Sequence, residues 1–407
     1  MRAAPRRTAL ATALALGLCG PPAAAADVSE ALARGEVGLD FRHRIELVDE
    51  DGFSEDAEAS TLRTRLNYRS GQWNGLDFFV EFSDVREIGL DDFNAGAGAT
   101  PDRTRFPVVA DPEDTRVNQA WIGLQPGEAL TVRVGRQRIK LDNDRFVGNV
   151  GWRQNEQTYD GGSIAWRQGG ASLFYSYVTH ANRIFDSEVP AGDNGHDTHL
   201  LNAAFDVADG HRLVGYLYDI DDEDVPAFGT RTFGLRYEGR ATLAADRAVD
   251  WLAEFARQTD AADNPVDYDA NYYHARARFE AHPLLAPVAG FERLEGNDRP
   301  GAAFRTPLAT LHAFNGWADR FLATPDGGLD DLYIGLRGGR GRIGYGLTWH
   351  RFETETGGTD LGTEIDGSVS IGLSDRLSLL IKAAHFDDED PSVRGVTKFW
   401  TMLSFRL

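Results

Sequence analysis

The chain has 407 residues, with 63 acidic against 42 basic side chains and a formal charge of −21. A polymer this acidic is repelled by nucleic acid, which excludes DNA or RNA as a partner. The single cysteine, Cys19, excludes internal disulfides, and no apolar run reaches the ~20 residues that a membrane-spanning helix needs. Eight Trp, 12 Tyr and 23 Phe beside 44 Gly are rich for a helical protein and ordinary for a barrel with aromatic girdles.

The N-terminus reads as an export leader. Arg2, Arg6 and Arg7 precede an apolar run from Ala9 to Leu18, and Ala24-Ala25-Ala26 follows. That layout predicts a secretory signal peptide over residues 1–26, cleaved near Ala26. Leu18, before Cys19, is too large for a lipidation signal. Without the leader the charge is −24, and the mature chain 27–407 is expected to form one domain.

From there the chain alternates with a period of two. Val37, Leu39, Phe41, His43, Ile45 and Leu47 form one set, and Asp40, Arg42, Arg44 and Glu46 form the other. Leu62, Leu66 and Tyr68 alternate with Arg63, Arg65 and Arg69, and Leu76, Phe78, Val80 and Phe82 alternate with Asp77, Glu81 and Ser83. A loop rich in Gly, Pro and Asp is expected from about residue 89 to 114, followed by a strand over 117–124. Residues 129–178 then supply the clearest unit: strand, long polar loop, strand, a tight turn at Gly169-Gly170, strand. Further strands are predicted near 197–207, 211–221, 230–240, 249–258, 268–281 and 288–295, and again near 330–338, 342–353, 361–373, 376–387 and 395–407. The total is about 18.

Two regularities define the architecture. Short connections (70–74, 125–128, 168–170, 208–210, 241–246, 282–287, 338–341, 374–375) alternate strictly with long ones, as when one rim faces the periplasm and the other the outside. All 16 prolines fall in the leader, in loops and turns, or at strand starts, because proline cannot donate to a ladder. The last residues place Phe399, Leu403, Phe405 and Leu407 on one face, as in the closing strand of an outer-membrane barrel. The predicted fold is therefore an all-β, transmembrane, antiparallel up-and-down barrel of about 18 strands in the bacterial outer membrane. Its apolar rows meet lipid and its polar rows meet an aqueous lumen.

Parity places Arg42, Arg44, Arg63, Arg65, Arg69, Arg133, Arg276 and Arg278 on the lumen side, where they are the candidate pore-lining and substrate-binding residues. The acidic excess falls in the loops. Arginine binds carboxylates through a planar fork, and rings of cations favour anions. On the same wall these arginines also have carboxylates within reach, with which they can simply brace the barrel. The segment from Phe314 to Phe321, with Trp317, Asp319 and Arg320, is too apolar for a solvated loop. It reads as a constriction folded into the mouth or as a loop packed on the rim.

Two sets of motifs resemble a known family. Val132-Arg133-Val134-Gly135-Arg136-Gln137-Arg138-Ile139, the run from Arg145 to Asn155, and Thr158-Tyr159-Asp160 form the first. The run from Pro307 to Leu322, Thr324-Pro325, and Gly328-Leu329-Asp330-Asp331-Leu332-Tyr333 form the second. Together they resemble the alginate-export family of outer-membrane channels. The resemblance implies an 18-stranded barrel with an arginine-rich conduit for an anionic polyuronate, although not that every member exports alginate.

Other chemistry is thinly represented. The chain carries no phosphate loop and no zinc helix motif. His196 and His199 are a weak metal pair, Gly161-Gly162-Ser163 lies in an alternating strand rather than at a nucleophile elbow, and Asp142-Asn143-Asp144 can supply oxygen ligands to Ca²⁺. No catalytic residue, cofactor or resident metal is assigned. The favoured function is a porin-like channel for anionic solutes, small uronate-type sugars or alginate among them. A barrel enzyme and a structural or adhesive barrel are the alternatives. Expected partners are outer-membrane lipid and lipopolysaccharide, an anionic carbohydrate or small anion, and the barrel-assembly machinery.

Overall fold

The computed structural model describes residues 27–244 and 247–407, and the expected leader lies outside them. A short helix, α1 (Val28–Ala33), precedes the strands. The first nine are β1 (Glu36–Glu50), β2 (Ala57–Arg69), β3 (Leu76–Asp92), β4 (Asp114–Leu124), β5 (Leu130–Gln137), β6 (Thr158–Gln168), β7 (Ala171–Asn182), β8 (Asp193–Ala208) and β9 (His211–Ile220). The second nine are β10 (Thr230–Ala244), β11 (Arg247–Asp260), β12 (Asp269–Glu280), β13 (Ala286–Leu294), β14 (Leu329–Arg340), β15 (Ile343–Glu353), β16 (Asp360–Gly372), β17 (Leu377–Asp388) and β18 (Val396–Arg406).

Each strand pairs antiparallel with its neighbours in sequence, and β1 also pairs with β18, with Phe41 opposite Phe405 and Leu47 opposite Phe399. The sheet therefore closes into an 18-stranded barrel with no free edge. One rim carries the tight connections, such as 70–75, 169–170 and 341–342. The other carries the long ones, of which 93–113, 138–157 and 295–328 are the longest.

The period-two pattern sorts as a bilayer requires. Ile122, Val134, Phe233, Ile334, Leu347 and Ile365 are all more than half exposed on the outer wall. Arg44, Glu46, Glu364 and Asp366, at 1% exposure or less, point inward. Apolar atoms outside remove the cost of hydrocarbon contact, and polar atoms inside keep water or a partner. Where β6 and β7 bulge at Gly161 (φ +156°), a side chain would collide with the Tyr177 carbonyl, so only glycine fits.

Beyond shifts of a few residues at strand ends, such as β3 running to Asp92 and β8 starting at Asp193, two local details differ from the sequence reading. Helix α1 was not expected, because six residues carry too little periodicity to read. Asp27 caps it by accepting from the Ser29 amide at 3.0 Å, and the Tyr68 hydroxyl donates to the Leu32 carbonyl at 2.6 Å. Gly338 and Gly339, read as a turn, instead extend β14, pairing with Tyr345 and Gly344, so the turn falls at 341–342. Gly338 is needed there because the Tyr345 hydroxyl and the Leu284 carbonyl each lie only 2.6 Å from where a side chain would start.

The outer wall can be tested at Leu347, which is 55% exposed near the middle of β15. Leu347→Arg should cost about 2–4 kcal/mol of folding free energy, the usual penalty for a cation at the bilayer midplane. Urea titration of folding into lipid vesicles measures it.

Candidate functional site: a lumen closed by inward loops

The arginines of β1 and β2 do not stand free. Arg42 donates from Nε to Gln154 Oε1 (2.9 Å) and from its terminal nitrogens to the Gly151 carbonyl (2.9 Å) and the Arg153 carbonyl. Arg44 donates to the Trp152 carbonyl (2.7 Å), pairs with Glu46 (2.9 Å) and Asp111 (3.4 Å), and lies over the Trp152 ring. Arg63 pairs with Asp40, and Arg65 with Glu156 at 3.1 Å. All four are at least 90% buried. A loop folded into a barrel brings carbonyls that have lost water. The guanidinium fork, with several donors in one plane, replaces that water.

The loop so anchored, 138–157, continues across the lumen. Arg138 and Arg65 converge on Glu156. Burial pushes the Glu156 carboxyl up, but these two cations outweigh it and bring it down to about 2. Arg145, 2% exposed, reaches the far wall, pairing with Glu292 of β13 (2.8 Å) and donating to Asn315 Oδ1 (3.0 Å). Phe146 packs among Tyr216, Tyr218, Tyr272 and Phe304.

The loop 295–328 enters from the opposite side and zips to the first. The Gly148 amide donates to the Leu308 carbonyl and the Thr310 amide to the Asp144 carbonyl, each at 2.9 Å. Asp319, one of the predicted constriction residues, accepts from His312 Nδ1 (2.7 Å), Arg153 (3.1 Å) and Lys398 (3.2 Å). Burial lowers the His312 imidazole to about 3, with Asp319 opposing and Lys382 reinforcing, so the ring is neutral. Its Nδ1 then donates to Asp319 while Nε2 accepts from Lys382 at 2.6 Å. Arg320 pairs with Glu50 at 2.9 Å, and Phe314 lies under the Arg145 guanidinium.

Trp317 and Phe314 roof a cavity of about 250 Å³ on the short-turn side of the loops. Its wall carries Arg276, Arg278 and Arg337. Arg278 and Arg276 share Asp250, at 2.8 and 3.6 Å, and Arg278 also meets Glu280 at 3.1 Å. Among the described residues Arg337 has no ion-pair partner. The acids on the same wall are already engaged: Glu292 by Arg145, Asp331 by His350 (2.8 Å) and Asp366 by the Trp317 amide (3.2 Å).

The remaining predicted lumen arginines lie towards the short-turn rim. Arg69 pairs with Asp77 at 2.8 Å, and Arg133 stacks on Trp121. The eight predicted arginines therefore divide into the loop-anchoring four, the rim pair, and Arg276 with Arg278 at the cavity. Sequence reasoning passed over Gln154, Arg145, Trp152, Glu292 and His312, all of which join the loop to the wall. Arg145, Trp152, Gln154 and His312 lie inside the two family motifs, and the apolar character of the loop segments was a second hint, but neither signal assigned them a role. Neither side motif gains support: His196 is buried while His199 is exposed, Asp142 accepts from Asn202 at 2.7 Å, and Asp144 pairs with Lys140 at 2.9 Å.

A closed barrel, greased outside, charged within and crossed by inward loops, is a channel of the bacterial outer membrane. Residues 34–281 match the family model described as alginate export, and the chain belongs to that family. No curated protein matches it. Solved structures share the fold at low identity. Acinetobacter baumannii OccAB2 is 14% identical with a TM-score of 0.73, covering 93% of this chain and 98% of that one. Pseudomonas aeruginosa OpdL is 13% identical (TM-score 0.70, covering 92% and 99%), and OpdK from the same organism, solved with vanillate, is 11% identical (0.70, covering 91% and 98%).

Two outcomes follow from the anchors. Arg145→Ala leaves Glu292 buried without its cation and should destabilise the folded barrel by about 3–5 kcal/mol, read by denaturation in detergent. Because folding lowers the Glu156 carboxyl from near 4.5 to about 2, its contribution is complete above about pH 4.5 and is lost as the pH falls towards 2. Thermal unfolding across that window should show the loss, and Glu156→Gln should flatten it.

Proposed function

We propose that the protein, with residues 1–26 as its export leader and 27–407 as one barrel domain, passes small organic anions across the outer membrane. Uronate-type sugars fit this class. The observation that carries the proposal is the cluster of Arg276, Arg278 and Arg337, beside acids that have partners of their own. Arginine at such a point binds a carboxylate while staying charged. The cavity of about 250 Å³ favours a single sugar acid or a similarly small acid over a polymer strand. Arg42, Arg44, Arg63 and Arg65 hold the loop in this reading, and Arg69 and Arg133 carry the arginine row to the rim. The protein carries solute and does not transform it.

Planar-bilayer recording under a salt gradient tests the proposal. The reversal potential should show anion preference, and Arg276→Ala with Arg337→Ala should reduce that preference severalfold, as expected when a ring of cations sets selectivity. Glucuronate should block chloride current in the parent channel and block the double variant weakly. Cation preference in the parent channel would overturn the proposal.

A further inference from the structure

The segment from Leu311 to Leu322 has a chamber on each side. Phe314, Asn315 and Trp317 line the cavity towards the short-turn rim. Leu311, His312 and Asp319 line a second cavity, of about 330 Å³, towards the long-loop rim. The same segment contributes to the lining of both.

Besides the ion pairs of Asp319 and Arg320 and the contacts of Asn315 with Arg145 and Glu292, a polar attachment to β16 and β17 holds that chain in place. Glu364 and Asp366 of β16 accept the amides of Ala318 (2.8 Å) and Trp317 (3.2 Å). Each has a second, buried carboxyl oxygen with no donor on the segment. The Lys382 ammonium of β17 sits among three tryptophans, 3.6 Å from the Trp317 ring centre, 4.3 Å from Trp152 and 5.5 Å from Trp400. It also donates to His312. One cation thus ties two points of the segment to the loop 138–157 and to the wall. The backbone at Asn315 (φ +54°), Gly316 (φ +82°) and Asp319 (φ +62°) is left-handed, a conformation that non-glycine residues keep only where their surroundings impose it.

We infer that residues 312–320 are a gate, latched by Lys382 in its tryptophan box, which swings towards the long-loop rim and joins the two chambers. The direction follows from the attachment of the loop, whose ends join β13 at Leu294 and β14 at Leu329 on that rim. In the closed state Lys382 spends its charge on three aromatic faces and one imidazole. Opening exchanges those contacts for the water of the two chambers, which Trp317 and His312 already line. The inference rests on the channel class and not on anion preference.

Single-channel recording tests the latch. Lys382→Ala should raise the open fraction about tenfold or more, given what the loss of one buried partner costs elsewhere. The substitution empties the box of a propylammonium-sized group. Added propylammonium should therefore restore closure in Lys382→Ala, while propanol should not, and the parent channel should ignore both. Heat-modifiable migration on gels establishes that the variant barrel is folded. If Lys382→Ala does not fold, Trp317→Ala carries the test, since it removes the nearest ring and leaves the ammonium itself in place. Parent-like gating in the folded variant, or closure indifferent to propylammonium, overturns the inference. Absence of anion preference in the parent channel, with the gating change of Lys382→Ala still present, would count against the proposed function and leave the gate standing.

Discussion

Hydrocarbon offers no hydrogen-bond partner, and the rest of the structure depends on that. Every amide and carbonyl crossing the bilayer must pair within the chain, so the sheet has to close, as it does where β1 meets β18. Closure makes each strand two-faced, with lipid on one side and the lumen on the other. The alternation of Ile334 and Leu332 with Tyr333 and Asp331 along β14 is the direct consequence.

Closure with 18 strands creates a second demand. The interior is too wide for the wall's own side chains to fill, and long loops enter it. A loop inside a barrel must satisfy its backbone without water. Arg42 and Arg44 do this for 151–153, and Glu364 and Asp366 do it for 317–318. Charged wall residues are thus used in two ways. Those facing the loops are buried and serve as structural donors and acceptors. Those below the loops, such as Arg337, keep a face towards the cavity. The same residue type on the same kind of strand takes opposite roles according to what the loops cover.

Much of this was legible in the sequence. Period-two patterning, the alternation of short and long connections and the placement of proline carry the barrel, its strand number and its two rims, because each reports a constraint that acts within a few residues. Lumen-facing side chains followed from parity alone, as with Arg63 and Arg65. The misreadings were also local: Gly338 and Gly339 resemble a turn because glycine is permissive, yet they lie in a ladder where only glycine fits.

The sequence by itself determined the closed barrel, which faces are oily, and that arginine is concentrated on the inner wall. Only the tertiary structure decided which arginines meet solute and which meet loop, because Arg42 and Gln154, or Arg145 and Glu292, are brought together from 112 and 147 residues apart. No periodicity encodes the path of a loop across a lumen. It is set by which buried carbonyls and carboxylates find a charged partner on the far wall.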